Sequence, residues 1–332
     1  MSTVGVFGPG MGDSELEAQL TVSLTAVEQL LHDTVKSADP FVSEVARHLA
    51  VAGGKRFRPL LVLLAAQFGD PGAPGVVPAA VVVELTHLAT LYHDDVMDEA
   101  PLRRGAPSAN ARWDNTVAIL TGDFLFARAS DLLADLGPQA VRIQARTFER
   151  LVTGQIRESV GPAEGQDPLD HYLSVVADKT GSLIATSGRF GAMLSGADDS
   201  AVDVLARFGE RIGVAFQLAD DLLDVESDVG ASGKTPGTDL REGVATLPVF
   251  HVLRSTDPSD ARLRDLLSRP LPDDAEHADA LALLRSHPAM ESARAEVHRW
   301  AADARSALAP LPDGPARAAL ERLCDAVVDR SA

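Results

Sequence analysis

Three kinds of residue are scarce in this chain of 332 residues: cysteine, aromatic residues and basic residues. A single cysteine, Cys324, excludes an intramolecular disulfide framework and is typical of a reducing cytoplasm. Aromatic residues make up only 5% of the chain, whereas Ala, Leu and Val are abundant, which favours helices packed on helices. The 30 basic residues are outnumbered by 48 acidic ones, and a net charge of −18 argues against nucleic acid as a partner, because its phosphates require a basic surface.

Long apolar runs, a leader sequence and internal repeats are missing as well. No apolar run reaches the length needed to span a bilayer, so we expect no transmembrane segment and a cytoplasmic location. Residues 1–13 lack the basic start and apolar centre of a signal peptide, and their glycines predict a flexible tail. No period of about 20 to 50 residues recurs, which excludes a solenoid. We therefore expect a single domain over residues 14–332.

The chain does contain a short acidic motif at the end of a long apolar run. Asp94, Asp95 and Asp98 follow a run that begins near Val76. If this run is a helix, Asp94 and Asp98 lie one turn apart on the same face, with Asp95 rotated away. Mg²⁺ suits such a pair, since it usually takes one or two carboxylates together with substrate phosphates. Taken alone, the motif could equally be a solvated helix end.

A second copy of the motif makes the solvated helix end a poor explanation. Asp220, Asp221 and Asp224 end another apolar run, 126 positions after the first motif (220 minus 94). Gln217 precedes Asp221 by four residues and shares its helical face, so its amide oxygen could point toward a cation. Two such motifs, each ending an apolar helix and each followed by basic residues, indicate metal chemistry.

A basic block lies at the predicted start of a helix. Gly53-Gly54 ends a short helix, and Pro59 fits the first turn of the next one. Lys55, Arg56 and Arg58 therefore cluster at a helix N-terminus, where backbone donors and the helix dipole already favour an anion. Ordinary surface cations are the alternative, and we regard Arg56 as a surface or structural residue.

Further polar residues interrupt apolar segments or follow them. The adjacent Arg103 and Arg104 lie in a turn, which predicts that they point to different sides. Lys179-Thr180 occurs within a long apolar run from Asp170 to Ser195, and a buried lysine requires an anion. Lys234 lies in a glycine-rich loop that fails as a P-loop, because Pro236 opposes an immediately following helix.

Together these blocks resemble the trans-isoprenyl (polyprenyl) diphosphate synthases, in particular the long-chain bacterial type. They follow the family's order between about residues 50 and 250: Gly53 to Pro59, Glu84 to His87, both aspartate motifs, Arg103-Arg104, Lys179-Thr180, Gln217 and Gly233-Lys234. One departure is Val244, where many members carry a lysine. The resemblance implies an all-α isoprenoid-synthase bundle, with the two motifs facing each other across a central cavity, and a homodimer.

The resemblance also implies a reaction and a role for each residue. Isopentenyl diphosphate would condense with an allylic diphosphate through ionisation, condensation and elimination. Three Mg²⁺ ions would be held by the six motif carboxylates, Asp94, Asp95, Asp98, Asp220, Asp221 and Asp224, of which Asp94, Asp98 and Asp220 act on the leaving group. Isopentenyl diphosphate would be bound by Gly54, Lys55, Arg58, His87 and Arg104. The allylic substrate would be bound by Arg103, Lys179 and Lys234, with Thr180 and Gln217 beside the reacting centre.

Two small residues before the first motif bear on product length. Thr90 and Ala89 lie four and five positions before Asp94, where bulky aromatic residues stop chain growth early in this family. Small residues there leave the upper tunnel open and predict a long-chain all-trans polyprenyl diphosphate, as used for a quinone side chain, with Phe148 or a neighbour as the floor. The alternative is that Ala89 and Thr90 pack against another helix and the floor lies nearby.

Three other functions are the alternatives to this one. A terpene cyclase binds one diphosphate and would lack the set Lys55, Arg58, His87 and Arg104. A non-catalytic helical subunit should have lost one aspartate motif, whereas this chain keeps both. A shorter-chain farnesyl or geranylgeranyl diphosphate synthase differs from the favoured function in product length alone.

Overall fold

The computed structural model describes residues 13–227 and 236–329. Over these ranges the protein is helical apart from one short hairpin, β1 (Leu102–Arg103) with β2 (Ala106–Pro107), which pair antiparallel. The all-α prediction is therefore confirmed. The flexible tail that we predict for residues 1–13 lies outside the described residues except for Asp13, which caps the first helix.

The first nine helices cover the chain to Leu194: α1 (Ser14–Thr34), α2 (Pro40–Val51), α3 (Phe57–Ala66), α4 (Val76–Met97), α5 (Ala109–Arg112), α6 (Asn115–Leu136), α7 (Pro138–Val160), α8 (Pro168–Val176) and α9 (Ser182–Leu194). The later helices are α10 (Asp199–Glu226), α11 (Thr238–Glu242), α12 (Leu247–Leu253), α13 (Ala261–Leu267), α14 (Asp274–Ser286), α15 (Pro288–Ala307) and α16 (Pro315–Val328). A π-helical turn, Ala177–Gly181, separates α8 from α9.

The chain divides into two compact units. The first comprises residues up to Glu149 together with Leu183–Gly209 and Ala307–Arg322. The second comprises Arg150–Ser182, Glu210–Ser306 and the residues from Leu323 onward. The first aspartate motif belongs to the first unit and the second motif to the second unit. A single domain, and two motifs facing each other across a cavity, stay predictions.

The first unit is built around α4, which is buried on nearly every side. It packs against α1, α3 and α6, and α1 contributes apolar residues at helical spacing, such as Leu20, Leu24 and Val27. By length and composition α4 is apolar enough to cross a membrane. The prediction that no apolar run reaches this length was therefore wrong. The rest of the protein buries 67% of the most apolar 18-residue segment of α4, as expected for the central helix of a globular unit.

Side-chain caps explain several helix starts. Asp13 accepts hydrogen bonds from the backbone N–H groups of Glu15 and Leu16, which begins α1. Asp39 caps α2 in the same way, with a proline at the first helical position. Arg56 precedes α3 in the left-handed region, at φ 47°, so the chain turns sharply at the basic block.

The long apolar run from Asp170 to Ser195 is not one continuous α-helix. The π-helical turn contains Lys179 and Thr180, and π turns interrupt helices frequently at functional sites. Gly154 of α7 lies against this turn, where an added Cβ would come within 2.8 Å of the backbone nitrogen of Lys179. The turn and the end of α7 are therefore in close contact. The second motif lies in the last turns of α10.

Candidate active site

The first motif occupies the C-terminal end of α4, as predicted. Asp98 is the C-cap residue, and its backbone N–H donates to the carbonyl of Asp94 at 2.8 Å, so the two residues lie one turn apart. Asp94 is half-buried and the Asp98 side chain is 54% exposed. Two carboxylates in this arrangement fit a Mg²⁺ ion that completes its coordination with phosphate oxygens.

Asp95 differs from its two neighbours because it is fully buried. Arg103 Nε donates to its Oδ1 at 2.5 Å, while its Oδ2 is buried and accepts no hydrogen bond from the described residues. Burial raises the pKa of Asp95, and the neighbouring Arg103 opposes that rise. The structure thus gives Asp95 an arginine partner, and the metal role that we predicted for it stays untested.

Arg104 is folded against the loop that precedes the basic block. Its Nη1 donates to the carbonyl oxygen of Leu49 at 3.1 Å and to that of Gly53. Gly54, at φ +156°, passes so close that an added Cβ would lie 2.9 Å from Nη1. Arg103 and Arg104 therefore have different partners, as adjacent residues in a turn were expected to have. Two of the predicted residues for isopentenyl diphosphate, Gly54 and Arg104, lie together.

His87 lies among the same cations. Burial holds the pKa of His87 well below 6.5, and the positive charges of Arg58, Arg104, Arg103 and Arg56 lower it further. The imidazole is therefore neutral at physiological pH, and it has an N–H to donate to an anion. The structure brings His87, Arg58 and Arg104 together, as an anion-binding cluster requires.

The remaining residues of the basic block have separate surroundings. Lys55 is exposed, and Arg58 is half-buried at the start of α3. Arg56 is buried, with Nε 2.5 Å from Glu28 and Nη1 2.7 Å from Glu84. Of the two possibilities for Arg56, surface or structural, the structure selects the second.

The middle carboxylate of the second motif, Asp221, is held by two side chains. Gln217 Nε2 donates to its Oδ1 at 2.9 Å, and the hydroxyl of Tyr172 donates to its Oδ2. Thr180 Oγ1 in turn donates to Gln217 Oε1 at 3.0 Å. Burial raises the pKa of Asp221 to about 6, although both hydrogen bonds favour the charged form. Gln217 and Asp221 share a helical face, as their spacing predicted, and Asp220 beside them is half-buried.

Asp224 receives the chain where it returns after Lys234. Its carboxylate accepts backbone N–H groups from Thr238 at 3.3 Å and Asp239 at 3.2 Å, at the start of α11. Its carbonyl oxygen accepts the N–H of Gly237 at 2.7 Å. Asp224 therefore holds residues 237–239 against the end of α10. Lys234 itself lies outside the described residues.

Lys179 is not buried, which corrects the reading of it as a buried lysine. Its side chain is 32% exposed, and Nζ lies 2.6 Å from Oε2 of Glu158. Asp178, the residue before Lys179, forms an ion pair with Arg150 at 2.9 Å, and Arg150 also pairs with Glu210 at 2.6 Å. A diphosphate at Lys179 would have to compete with Glu158, because the ammonium group already has a carboxylate partner.

The two residues assigned to product length have different surroundings. Ala89 is fully buried, as the packing alternative requires, whereas Thr90 is half-buried and donates to the His87 carbonyl at 2.8 Å. Phe148, the suggested floor, packs with its ring centroid 4.4 Å from that of Phe126. Thr90 is thus the better candidate for a tunnel wall.

Sequence reasoning missed Tyr172 and Glu158. Tyr172 lies seven residues before Lys179, a helical spacing that could have suggested a shared face. Glu158 is an acidic residue at the end of an amphipathic helix, and such residues are usually solvated. Among the described residues, no three His, Cys, Asp or Glu side chains form a ready-made metal cage.

The fold and the two aspartate motifs define an all-α prenyltransferase. Comparisons with known proteins identify its family. The polyprenyl synthetase family model matches residues 39–284, so the chain belongs to that family. It is 53% identical to a nonaprenyl diphosphate synthase of Mycobacterium tuberculosis, over 98% of this chain and 97% of that one.

Two solved structures are similar over nearly the whole chain. A geranylgeranyl pyrophosphate synthase of Corynebacterium glutamicum, complexed with calcium and isoprenyl diphosphate, is 48% identical, with a TM-score of 0.87 and coverage of 97% and 99%. A decaprenyl diphosphate synthase of Rhodobacter capsulatus is 36% identical, with a TM-score of 0.87 and coverage of 96% and 99%. The prediction of the isoprenoid-synthase fold is thereby confirmed.

Proposed function

We propose that this protein condenses isopentenyl diphosphate with an allylic diphosphate and repeats the condensation to make a long-chain all-trans polyprenyl diphosphate. The observation that carries the proposal is the presence of both aspartate motifs together with a cluster of cations around His87. One anion site suffices for a cyclase, whereas a condensing enzyme needs two.

The side chains support distinct steps. Lys55, Arg58, His87 and Arg104 would hold isopentenyl diphosphate, and Arg103, Lys179 and Lys234 would stabilise the departing allylic diphosphate. When bound by Asp94, Asp98 and Asp220, Mg²⁺ supplies Lewis-acid stabilisation of that leaving group. The double bond of isopentenyl diphosphate then forms the new C–C bond with the allylic cation. The proton lost in the elimination passes to the displaced diphosphate, so no protein acid–base pair is needed.

Several features support the metal and the assembly. Calcium and isoprenyl diphosphate accompany the similar Corynebacterium enzyme, which fits a divalent ion at these carboxylates, Mg²⁺ in our proposal with three ions when substrate is bound. A homodimer is supported by apolar side chains exposed on α6, Ile119 at 43% and Leu120 at 60%. A cytoplasmic location fits the single buried cysteine.

A long product is favoured over a short one by the relatives and by Thr90. The nonaprenyl and decaprenyl synthases make long-chain products by name, and both align over nearly the full chain. Position 90, one turn before Asp94, carries no aromatic ring. We propose a quinone side chain as the destination of the product.

The experiment is incubation of the purified protein with isopentenyl diphosphate, each allylic primer and Mg²⁺, followed by measurement of product length. Asp94→Ala and Asp220→Ala should each lower turnover by a factor of at least about 100, since each removes a ligand that acts on the leaving group. Asp131→Ala, at an 80% exposed aspartate of α6, is the matched control. Near-normal turnover of either motif variant at saturating Mg²⁺ would refute the metal assignment.

A pair of lysine variants tests the two anion sites. Lys55→Ala should raise the KM for isopentenyl diphosphate, and Lys234→Ala should raise the KM for the allylic primer. Equal effects of each variant on both substrates would argue against separate sites. Cyclisation of a primer without isopentenyl diphosphate would instead identify a cyclase.

A further inference from the structure

Asp221 is held on both sides within the second unit. Its residue is only 7% exposed, and one carboxylate oxygen accepts the Tyr172 hydroxyl while the other accepts the Gln217 amide. A carboxylate whose two oxygens each accept a hydrogen bond from a side chain is held in one orientation. When Asp221 is ionised, these hydrogen bonds are stronger than hydrogen bonds between neutral groups.

The hydrogen bonds continue to the turn that contains Lys179. Thr180 Oγ1 donates to Gln217 Oε1, so the Gln217 amide is oriented with its NH₂ group toward Asp221. Thr180 is buried and directly follows Lys179 in the π-helical turn. Three side chains thus connect the second motif on α10 to the residue beside Lys179.

Tyr172 fixes the other end of this chain of hydrogen bonds. It lies on α8, two turns before Lys179, and its ring packs against Phe250 of α12 with centroids 5.3 Å apart. The ring is therefore held by packing, and the hydroxyl is aimed at Asp221. Its hydroxyl has no part in the reaction proposed above.

We propose that Tyr172 and Asp221 are positioning residues for the second aspartate motif. In this arrangement the hydrogen bonds from Tyr172 through Asp221 and Gln217 to Thr180 set the orientation of α10 against the turn of Lys179. The carboxylate of Asp220 and the ammonium group of Lys179 are thereby held at a fixed relative position. The inference rests on the proposed function, in which both groups act on the same diphosphate.

Four variants test the proposal: Asp220→Asn, Asp221→Asn, Tyr172→Phe and, as control, Ser174→Ala, which removes a different hydroxyl from α8. Calorimetry with Mg²⁺ and inorganic diphosphate measures binding, and initial rates measure kcat and KM. Asp221→Asn should keep its affinity within about threefold, because a reversed Gln217 amide and Thr180 hydroxyl restore both hydrogen bonds. Asp220→Asn should lose binding by about 100-fold.

Tyr172→Phe keeps the ring against Phe250 and removes the hydroxyl. We expect kcat to fall about tenfold with little change in Mg²⁺ affinity, whereas Ser174→Ala keeps the wild-type kcat. A loss of Mg²⁺-dependent diphosphate binding in Asp221→Asn as large as in Asp220→Asn would overturn the proposal. So would a Tyr172→Phe enzyme with unchanged kcat.

The two proposals fail in different ways. If the wild-type protein forms no prenyl product from any primer, the proposed function is wrong. The calorimetric comparison of Asp220→Asn with Asp221→Asn still decides which carboxylate binds the metal. If Tyr172→Phe does not fold, Asp221→Asn alone carries the test.

Discussion

Arg103 Nε lies 2.5 Å from Oδ1 of Asp95, so the basic turn after the first motif is tied to the motif's middle carboxylate. Arg103 Nη2 also lies 4.0 Å from the carboxylate of Asp98. The Asp95 side chain has no exposed surface, and that of Arg103 is 21% exposed. Arg103 therefore holds the hairpin β1–β2 on α4, in addition to the substrate role that we propose for it.

Arg103→Ala should destabilise the protein, because it leaves the Asp95 carboxylate buried without its partner. Breaking a buried ion pair costs about 3–5 kcal/mol, and the partial exposure of Arg103 places this one at the low end. Urea unfolding measures the change. Arg112→Ala is the control, since its 2.7 Å pair with Glu44 is exposed on both sides and should contribute less than about 1 kcal/mol. Equal losses in the two variants would contradict the prediction.

His87 should make the protein less stable at mildly acidic pH. Burial, followed by the charge of Arg58, holds its pKa in the folded protein well below 6.5. Near pH 6.5 the unfolded chain therefore binds more protons at this residue than the folded protein does, and stability rises with pH through that range. The contribution is complete above about pH 7.5 and is lost as the pH falls through 6.5.

His87→Asn should flatten this part of the profile of unfolding free energy against pH, because asparagine does not titrate. His298→Asn, at an exposed position on α15, controls for the replacement itself. A His87→Asn profile as steep as that of the wild-type protein would contradict the prediction, because it would show that folding does not lower the pKa of His87.

Gly54→Ala should weaken isopentenyl diphosphate binding. An added Cβ would lie 2.9 Å from Arg104 Nη1, so the guanidinium would have to move. Gly53→Ala is a matched control, since Gly53 also has positive φ but an added Cβ would meet nothing within 4 Å. We expect a larger increase in the KM for isopentenyl diphosphate for Gly54→Ala, with the allylic KM unchanged. If both variants raise the KM for isopentenyl diphosphate equally, backbone strain and not the contact with Arg104 causes the loss of binding.

Thr90→Phe should shorten the product and leave the fold intact, since Thr90 is half-buried and has room to change. Ala89→Phe should instead overpack the core, at a cost of about 1–3 kcal/mol, because Ala89 has no exposed surface. Product analysis and thermal unfolding of both variants test the pair. A stable Ala89→Phe enzyme with a shortened product would show that Ala89 lines the tunnel after all.

The sequence predicted much of the local structure, because helical spacing is a property of the chain itself. Asp94 and Asp98 lie one turn apart on α4, as their spacing predicted. The contact between Gln217 and Asp221 follows from their separation of four residues. These statements concern residues on one helix, where geometry is fixed by the backbone.

Contacts between helices were not predictable in the same way. The pairing of Lys179 with Glu158 joins residues 21 apart, and that of Tyr172 with Asp221 joins residues 49 apart. Such pairs depend on how helices pack and on where a π-helical turn shifts the register, neither of which spacing encodes. The burial of Asp95 was missed for a similar reason, since its rotation away from Asp94 was predicted but its partner, eight residues later, was not.

Asp224 accepts the N–H groups of Gly237, Thr238 and Asp239, so the chain leaves α10 and returns to the same residue. Asp224 and residues 237–239 are therefore held together, and residues 225–236 connect them in the sequence. The entropy cost of closing a loop grows only with the logarithm of its length, by about 0.6 kcal/mol for each doubling. Insertions and deletions in the segment of Lys234 should thus be nearly neutral for folding, which leaves this segment open to evolutionary change in substrate handling while the aspartate motif stays in place.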